Sequence, residues 1–283
     1  MMEVYRHNSR MQVKQNRTGE VEYLTFPLLE QTGLVRHLFS TRIGGVSEGI
    51  YSSMNLSYTR GDRKEAVDEN FRRIAGVLGC KAEDIVCSDQ THTTNLRVVS
   101  REDGGKGIVI PKDYRDVDGL LTDEPGMVLA TFYADCVPLY FVDTKNRAVA
   151  LAHSGWRGTV ARMGRCVIEK MQEVYGTKAE GVVAAIGPSI CQDCYEVSED
   201  VAEAFLAEFC KPGQGQEILI SKGNGKYQLD LWRANEIILT EAGVPREQIQ
   251  VTDLCTCHNS EYLFSHRASQ GKRGNLGAFI GLL

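Results

Sequence analysis

Three apolar segments follow one another at residues 127–133, 139–142 and 148–153 with no stretch of helical spacing between them. Each reads as a strand, and only Asp143-Thr144-Lys145-Asn146 separates the second from the third, a connection suited to a hairpin. Further strand patterns lie at 21–26 and 35–40, split by a Thr32-Gly33 turn, then at 85–87, 96–99, 182–186, and near 251–252 and 278–280. Helical spacing over 65–78 places Val67, Phe71, Ile74, Ala75 and Leu78 on one face, with Gly79 as the stop. Further helices are expected over 158–175, over 198–209 with Ser198 as N-cap, and over 230–242 closed by Gly243. The glycine-rich stretch 212–226 reads as a surface loop. Strands therefore come in runs, with helices between the runs. That order favours one α+β domain of layered mixed sheets flanked by helices over a doubly wound nucleotide fold, and no glycine fingerprint argues otherwise. Residues 1–20 are expected to form an N-terminal extension, with His7 in a frayed terminus, and residues 21–283 a single domain.

Charge and cysteine usage narrow the setting. A net charge of −5 with dispersed Lys and Arg argues against nucleic acid as a partner but leaves room for a basic pocket holding one small anion. The polar N-terminus lacks the apolar core of a secretory signal, and no apolar run is long enough to span a bilayer. Nine scattered cysteines, an odd number, suit reduced thiols, so a cytoplasmic protein is expected.

The residues with the most chemistry are Thr131-Phe132-Tyr133-Ala134-Asp135-Cys136-Val137-Pro138 and Leu151-Ala152-His153-Ser154-Gly155-Trp156-Arg157-Gly158. One strand ends in Asp-Cys, and a later one ends in His before a glycine-bounded turn. A hairpin brings Cys136 and His153 together. Such a pair suits a thiolate nucleophile activated by imidazole, two ligands of a borderline-soft metal such as zinc, or a buried cysteine beside a core histidine. Among six histidines, His92, just beyond a strand, is the best placed for a third ligand, although spacing alone does not single it out.

Taken together, Ser40-Thr41-Arg42-Ile43-Gly44-Gly45-Val46-Ser47, Asn55-Leu56, Gln90-Thr91-His92, Ala134-Asp135-Cys136-Val137-Pro138, His153-Ser154-Gly155-Trp156-Arg157-Gly158, Gly187-Pro188-Ser189-Ile190, Ser265-His266-Arg267 and Arg273-Gly274-Asn275 resemble the bacterial YfiH family. That family is also called laccase-domain protein, multicopper polyphenol oxidase and peptidoglycan editing factor. The resemblance runs in order from about Leu38 to the C-terminus. It implies a layered α+β domain with zinc on His92, Cys136 and His153, and phosphorolysis of adenosine, inosine and methylthioadenosine together with deamination of adenosine. Gln90-Thr91-His92-Thr93-Thr94 departs from the family's usual Gln-Val-His-Gly, which leaves the turn after the ligand open.

Three protein ligands leave a fourth zinc position for a water, whose pKa the metal lowers. Deamination also needs a proton-shuttling carboxylate, for which Asp135 is the candidate. Phosphorolysis needs a cationic cradle. Arg42 in its Gly-Gly loop and Arg157 at a helix start suit phosphate, and Arg267 and Asn275 of the tail are further pocket candidates. Zinc is the expected metal and copper a second candidate, whereas a coupled copper cluster needs more imidazoles than six histidines supply. Cys191-Gln192-Asp193-Cys194 and Cys255-Thr256-Cys257-His258 are separated by far more than a zinc ribbon allows and are read as structural residues, with Glu196 free to face the site. Two other functions fit the same residues. One is a cysteine hydrolase or amidase acting on cell-wall precursors, with Cys136 as nucleophile and His153 as base; the other is a non-catalytic metal- or nucleoside-binding regulator.

Overall fold

The computed structural model describes residues 1–283, and the hairpin lies at its centre. Strands Val137–Asp143 and Ala148–Ser154 pair antiparallel with Pro138 opposite His153. Asp143 closes the turn by accepting the backbone N–H of Lys145 at 2.9 Å and of Asn146 at 3.0 Å. Every residue of both strands is buried. Because alternate side chains leave opposite faces of a sheet, Val137, Leu139, Phe141, Ala148, Ala150 and Ala152 enter one core, while Tyr140, Val142, Val149 and Leu151 enter another. Two apolar faces explain why these segments read as continuous apolar runs instead of alternating ones.

The hairpin is the middle of a six-stranded sheet in the order Ile249–Val251, Val182–Ile186, Val137–Asp143, Ala148–Ser154, Gly119–Thr122 and Leu96–Val98. A second six-stranded sheet runs Lys14–Thr18, Val21–Thr25, Val35–Ser40, Leu276–Leu282, Val128–Tyr133 and Ile85–Cys87. The two sheets share the core that contains Phe39, Leu129, Tyr140 and Leu151. Helix Lys64–Leu78 covers the outer face of the second sheet. Helices Met163–Tyr175 and Leu231–Glu241 cover the outer face of the first. The result is a single α+β domain of four layers, helix, sheet, sheet and helix, with a small third sheet of Glu196–Ser198, Lys226–Leu229 and Leu219–Gly223.

Several local expectations need correction. Residues 1–20 are not a free extension: Lys14–Thr18 pairs with Val21–Thr25, Val13 is buried, and Arg6 is ion-paired with Asp253. Lys-Gln-Asn-Arg-Thr is an exposed edge strand, so no apolar period marked it. The helix expected over 158–175 is broken into Trp156–Val160 and Met163–Tyr175, because Arg162 adopts a left-handed conformation (φ 58°) and ties its guanidinium to Glu208 and Glu241. The expected loop at 212–226 contains helix Gln214–Ile218 and strand Leu219–Gly223. Ser198 does stand at a helix N-cap, but its hydroxyl bonds Asp200.

Four connections cross between the large sheets, and two of them run from the second sheet to the first. Residues 88–95 run from Ile85–Cys87 to Leu96–Val98, and residues 134–136 from Val128–Tyr133 to Val137–Asp143. His92 rides on the first crossing and Cys136 on the second.

Candidate metal centre

Residues 134–136 make an abrupt corner between sheets, and Asp135 takes the positive φ of 85° that the corner requires. Its carboxylate accepts the Thr256 hydroxyl at 2.6 Å and the Arg267 N–H at 2.7 Å, while its carbonyl accepts the Ile190 N–H at 3.0 Å. Asp135 is thus a corner brace: both carboxylate oxygens are taken, and it does not line the cavity described below. This corrects the proton-shuttle role expected of it. The brace points Cys136 at the end of the neighbouring strand, where His153 sits.

His92 also has a positive φ, 68°. The cause is Asp118, a fully buried carboxylate at the start of strand Gly119–Thr122. It accepts the N–H groups of Thr91, His92 and Thr93 at 3.0, 3.1 and 2.9 Å, and the Thr93 hydroxyl at 2.9 Å. The turn is wrapped on a carboxylate, so Thr93 serves where the family's usual glycine would stand. Asp118 also bonds Nδ1 of His153 at 2.8 Å. Nδ1–H donates to the carboxylate, so Nε2 is the nitrogen left to bind a metal once its proton is displaced, the carboxylate–histidine pairing that orients metal ligands. Sequence reasoning missed Asp118; its only signal was an acidic residue opening an apolar segment, Asp118-Gly119-Leu120-Leu121.

The ligand atoms of His92, Cys136 and His153 all lie within 4.8 Å of one another. Cys136 Sγ is 3.8 Å from His92 Nε2, and the two imidazole rings are 4.9 Å apart at 78°. Burial works against charge on the Cys136 thiol, but His153 and His92 prevail and hold it down at about 6. Burial likewise works against His153, while Cys136 and Asp118 hold its imidazolium up at about 9. Asp118 is itself held down at about 2 against its burial, by His153 and the amides of Thr93 and Thr91. An anionic sulfur facing two imidazoles is a donor set for a borderline-soft cation. Gly155 is required here by space: a Cβ on it would stand 2.9 Å from His92 Cδ2 and 3.1 Å from Cys136 Sγ.

The three ligands line a cavity of about 490 Å³. Arg60, Lys112, Arg273, Asn275, Phe132 and Asp89 are also on its wall. Arg273 is buried, its Nε has no hydrogen-bond partner, and burial together with the neighbouring Arg60 pushes its guanidinium down to about 10. Asn275 accepts from Arg273.

The other expected cations lie elsewhere. Arg42 donates to the carbonyls of Ser52 at 3.0 Å and Ser260 at 2.6 Å, stacks on Phe264, and lines a separate cavity. Arg157 is exposed on Trp156, its ring centroid 4.3 Å away. Arg267 donates to the carbonyls of Cys194 at 3.0 Å and Glu196 at 2.9 Å. None of these three lines the cavity with the ligands. Arg60 went unrecognised, and Arg273, quoted only within the Arg273-Gly274-Asn275 motif, was given no role, because the sequence does not show which cations reach the cavity. Glu196 is turned to Lys222 instead of the site.

Fold and site together define a class: a four-layer α+β protein in which two histidines and one cysteine, placed to hold a metal ion, open onto a polar cavity. The model described as multi-copper polyphenol oxidoreductase laccase matches residues 36–283, and the chain belongs to that family. Among its relatives, purine nucleoside phosphorylase YlmD of Bacillus subtilis is 36% identical over 248 residues, 86% of this chain and 87% of the relative. Adenosine deaminase RL5, from an unknown prokaryotic organism, is 35% identical over 81% of this chain and 87% of its own length. The crystal structure of YlmD from Geobacillus stearothermophilus superposes with a TM-score of 0.86 at 33% identity, covering 95% of this chain and 98% of that one.

Proposed function

We propose that this protein is a zinc-dependent purine nucleoside phosphorylase that also deaminates adenosine. The observation that carries the proposal is the convergence of His92, Cys136 and His153 on a cavity that also holds Arg60 and Arg273. The names of the relatives, phosphorylase and adenosine deaminase, support it. Zinc fits because one cysteine sulfur and two imidazoles are its preferred ligands and three protein donors leave one position for a water or substrate atom. Zinc held there supplies Lewis-acid chemistry and lowers the pKa of a coordinated water towards neutrality. The imidazoles also argue against a coupled copper cluster: two of six serve this centre, and His37 is bonded to the Phe26 N–H at 2.9 Å inside the core.

Residue roles follow from position. Arg273, with its unpaired Nε, and Arg60 form the cationic cradle for phosphate, since guanidinium groups bind its oxygens in pairs. Phe132 offers an aromatic surface to the purine, and Asn275 a polar group to the sugar or base. Asp89 is the carboxylate on the wall, and its ion pair with Lys112 keeps it ionised. His153 stays oriented through Asp118. No helix is long and apolar enough to cross a membrane.

A second reading rests on a specific observation: Cys136, His153 and Asp118 are also in the order of a thiol, base and orienting-acid triad. Metal analysis with adenosine turnover, with and without phosphate, separates the two. About one zinc per chain at this centre, adenine release that requires phosphate and Arg273, and loss of both on chelation support the phosphorylase. Chelation-resistant hydrolysis of an amide or thioester, with ready alkylation of Cys136, would sink it in favour of the cysteine hydrolase.

A further inference from the structure

The two cysteine motifs read as structural residues meet in space. A backbone bridge pairs Ser189 with Cys255, and the Thr256 N–H donates to the Ser189 carbonyl at 3.1 Å. This register sets Cys191 beside Cys255 although they are far apart in sequence. His258 follows one turn later, and His7 arrives from the N-terminal segment, whose N–H donates to the Asp253 carbonyl at 2.8 Å. The ligand atoms of His7, Cys191, Cys255 and His258 all lie within 4.8 Å of one another. None of the four lines the cavity of the His92 centre.

We propose that these four residues bind a second zinc ion, structural in role, which clasps the N-terminal segment to the core. Three further observations fit. Cys191 Sγ is 3.5 Å from His258 Nδ1; zinc bonds of about 2.3 Å to sulfur and about 2.0–2.1 Å to nitrogen at a tetrahedral angle place those atoms about 3.5 Å apart. Nε2 of His7 is buried with no hydrogen-bond partner, a cost that coordination through that nitrogen removes. Sγ of Cys255 accepts the N–H groups of Cys191 at 3.3 Å and His258 at 3.5 Å, the amide-to-sulfur bonding that a metal thiolate uses to spread its charge. Four protein ligands fill a tetrahedron and leave no position for substrate, in contrast to the three at the first centre.

The site also has a mechanical connection to that first centre. Ile190, next to Cys191, and Thr256, next to Cys255, both bond Asp135, the residue that turns the corner into Cys136. Filling the second site therefore stiffens both loops that brace the corner. His7 is tied in the same way, since Tyr5 exchanges hydrogen bonds with the Asn259 side chain at 2.7 and 2.9 Å.

The test uses the full chain, purified without a polyhistidine tag and under reducing conditions. Wild type is expected to hold about two zinc ions and Cys136→Ser about one, since only the first centre is lost. Cobalt-loaded Cys136→Ser should show thiolate-to-cobalt absorption from two sulfurs, which disappears in Cys136→Ser with Cys255→Ser. His7→Gln, outside the core, should lose the second metal and expose the bonds after Arg6 and Arg10 to trypsin, while circular dichroism stays that of wild type. A metal-free Cys136→Ser protein overturns the proposal. So does a Cys191–Cys255 disulfide, seen as two missing thiols on titration of the unreduced, denatured protein.

Discussion

Gly155→Ala isolates the metal centre from the fold. The backbone at this position, φ −70° and ψ −179°, suits any L-residue, so the new methyl carries no conformational strain of its own. It does meet His92 Cδ2 at 2.9 Å and Cys136 Sγ at 3.1 Å. Carbon atoms rest at about 3.5–4.0 Å, so the His92 ring must retreat by at least about 0.6 Å. A zinc site tolerates displacements of about 0.2 Å in its bond lengths. Zinc affinity should therefore fall on the order of 10–100-fold, the range found when a ligand loses its supporting partner, and overpacking should cost the metal-free protein about 1–3 kcal/mol. Competition with a fluorescent chelator gives the first quantity and urea unfolding of the metal-free protein the second. In a His92→Ala background the nearest collision is gone, so the stability cost of Gly155→Ala should shrink, a coupling readable in a double-mutant cycle. Wild-type zinc affinity in Gly155→Ala would refute the placement of His92 and Cys136 against this glycine.

Three other predictions rest on separate parts of the molecule. Asp118→Asn should lower zinc affinity by about 10–100-fold, because the amide no longer fixes Nδ1–H of His153 and turns a donor towards the Thr91 and Thr93 N–H groups; isothermal titration of the metal-free protein measures it. Buried His37 accepts the Phe26 N–H only when neutral, and burial, opposed by Glu30, holds its imidazole down from 6.5 to about 4. Its unfolded form takes up the proton first, so this contribution is complete above pH 6.5 and about 3 kcal/mol is lost as pH falls from 6.5 to about 4. Urea unfolding of wild type against His37→Gln across that window checks it, and parallel pH profiles would reject it. Arg157→Ala should leave the phosphate KM within about twofold of wild type, since the side chain lies exposed on Trp156, while Arg273→Ala should raise that KM at least about tenfold; steady-state kinetics in varied phosphate decide between them.

Much of the architecture was legible because burial leaves a period in the chain. The central hairpin, helix Lys64–Leu78 and helix Leu231–Glu241 all follow from apolar spacing and turn residues, and the α+β class follows from their order. Elements without a buried face of their own stayed hidden. Lys14–Thr18 is an exposed edge and Leu219–Gly223 a solvent-facing strand, so neither carries an apolar pattern. The break at Arg162 was equally silent, because its partners Glu208 and Glu241 come from other elements.

For the site, the sequence by itself determined which side chains had the chemistry: a cysteine and a histidine at the ends of neighbouring strands, and a handful of arginines and histidines to draw from. Tertiary structure alone decided which of them meet. Strand register places His153 opposite Pro138, and two of the four inter-sheet crossings carry Cys136 and His92 to the same point. The same folding commits Asp135 to a corner, selects Arg273 over Arg42 and Arg157 for the cavity, supplies Asp118, and joins Cys191 to Cys255. Local sequence encodes propensity and burial within a few residues, whereas ligand geometry depends on contacts across scores of residues that no single segment specifies.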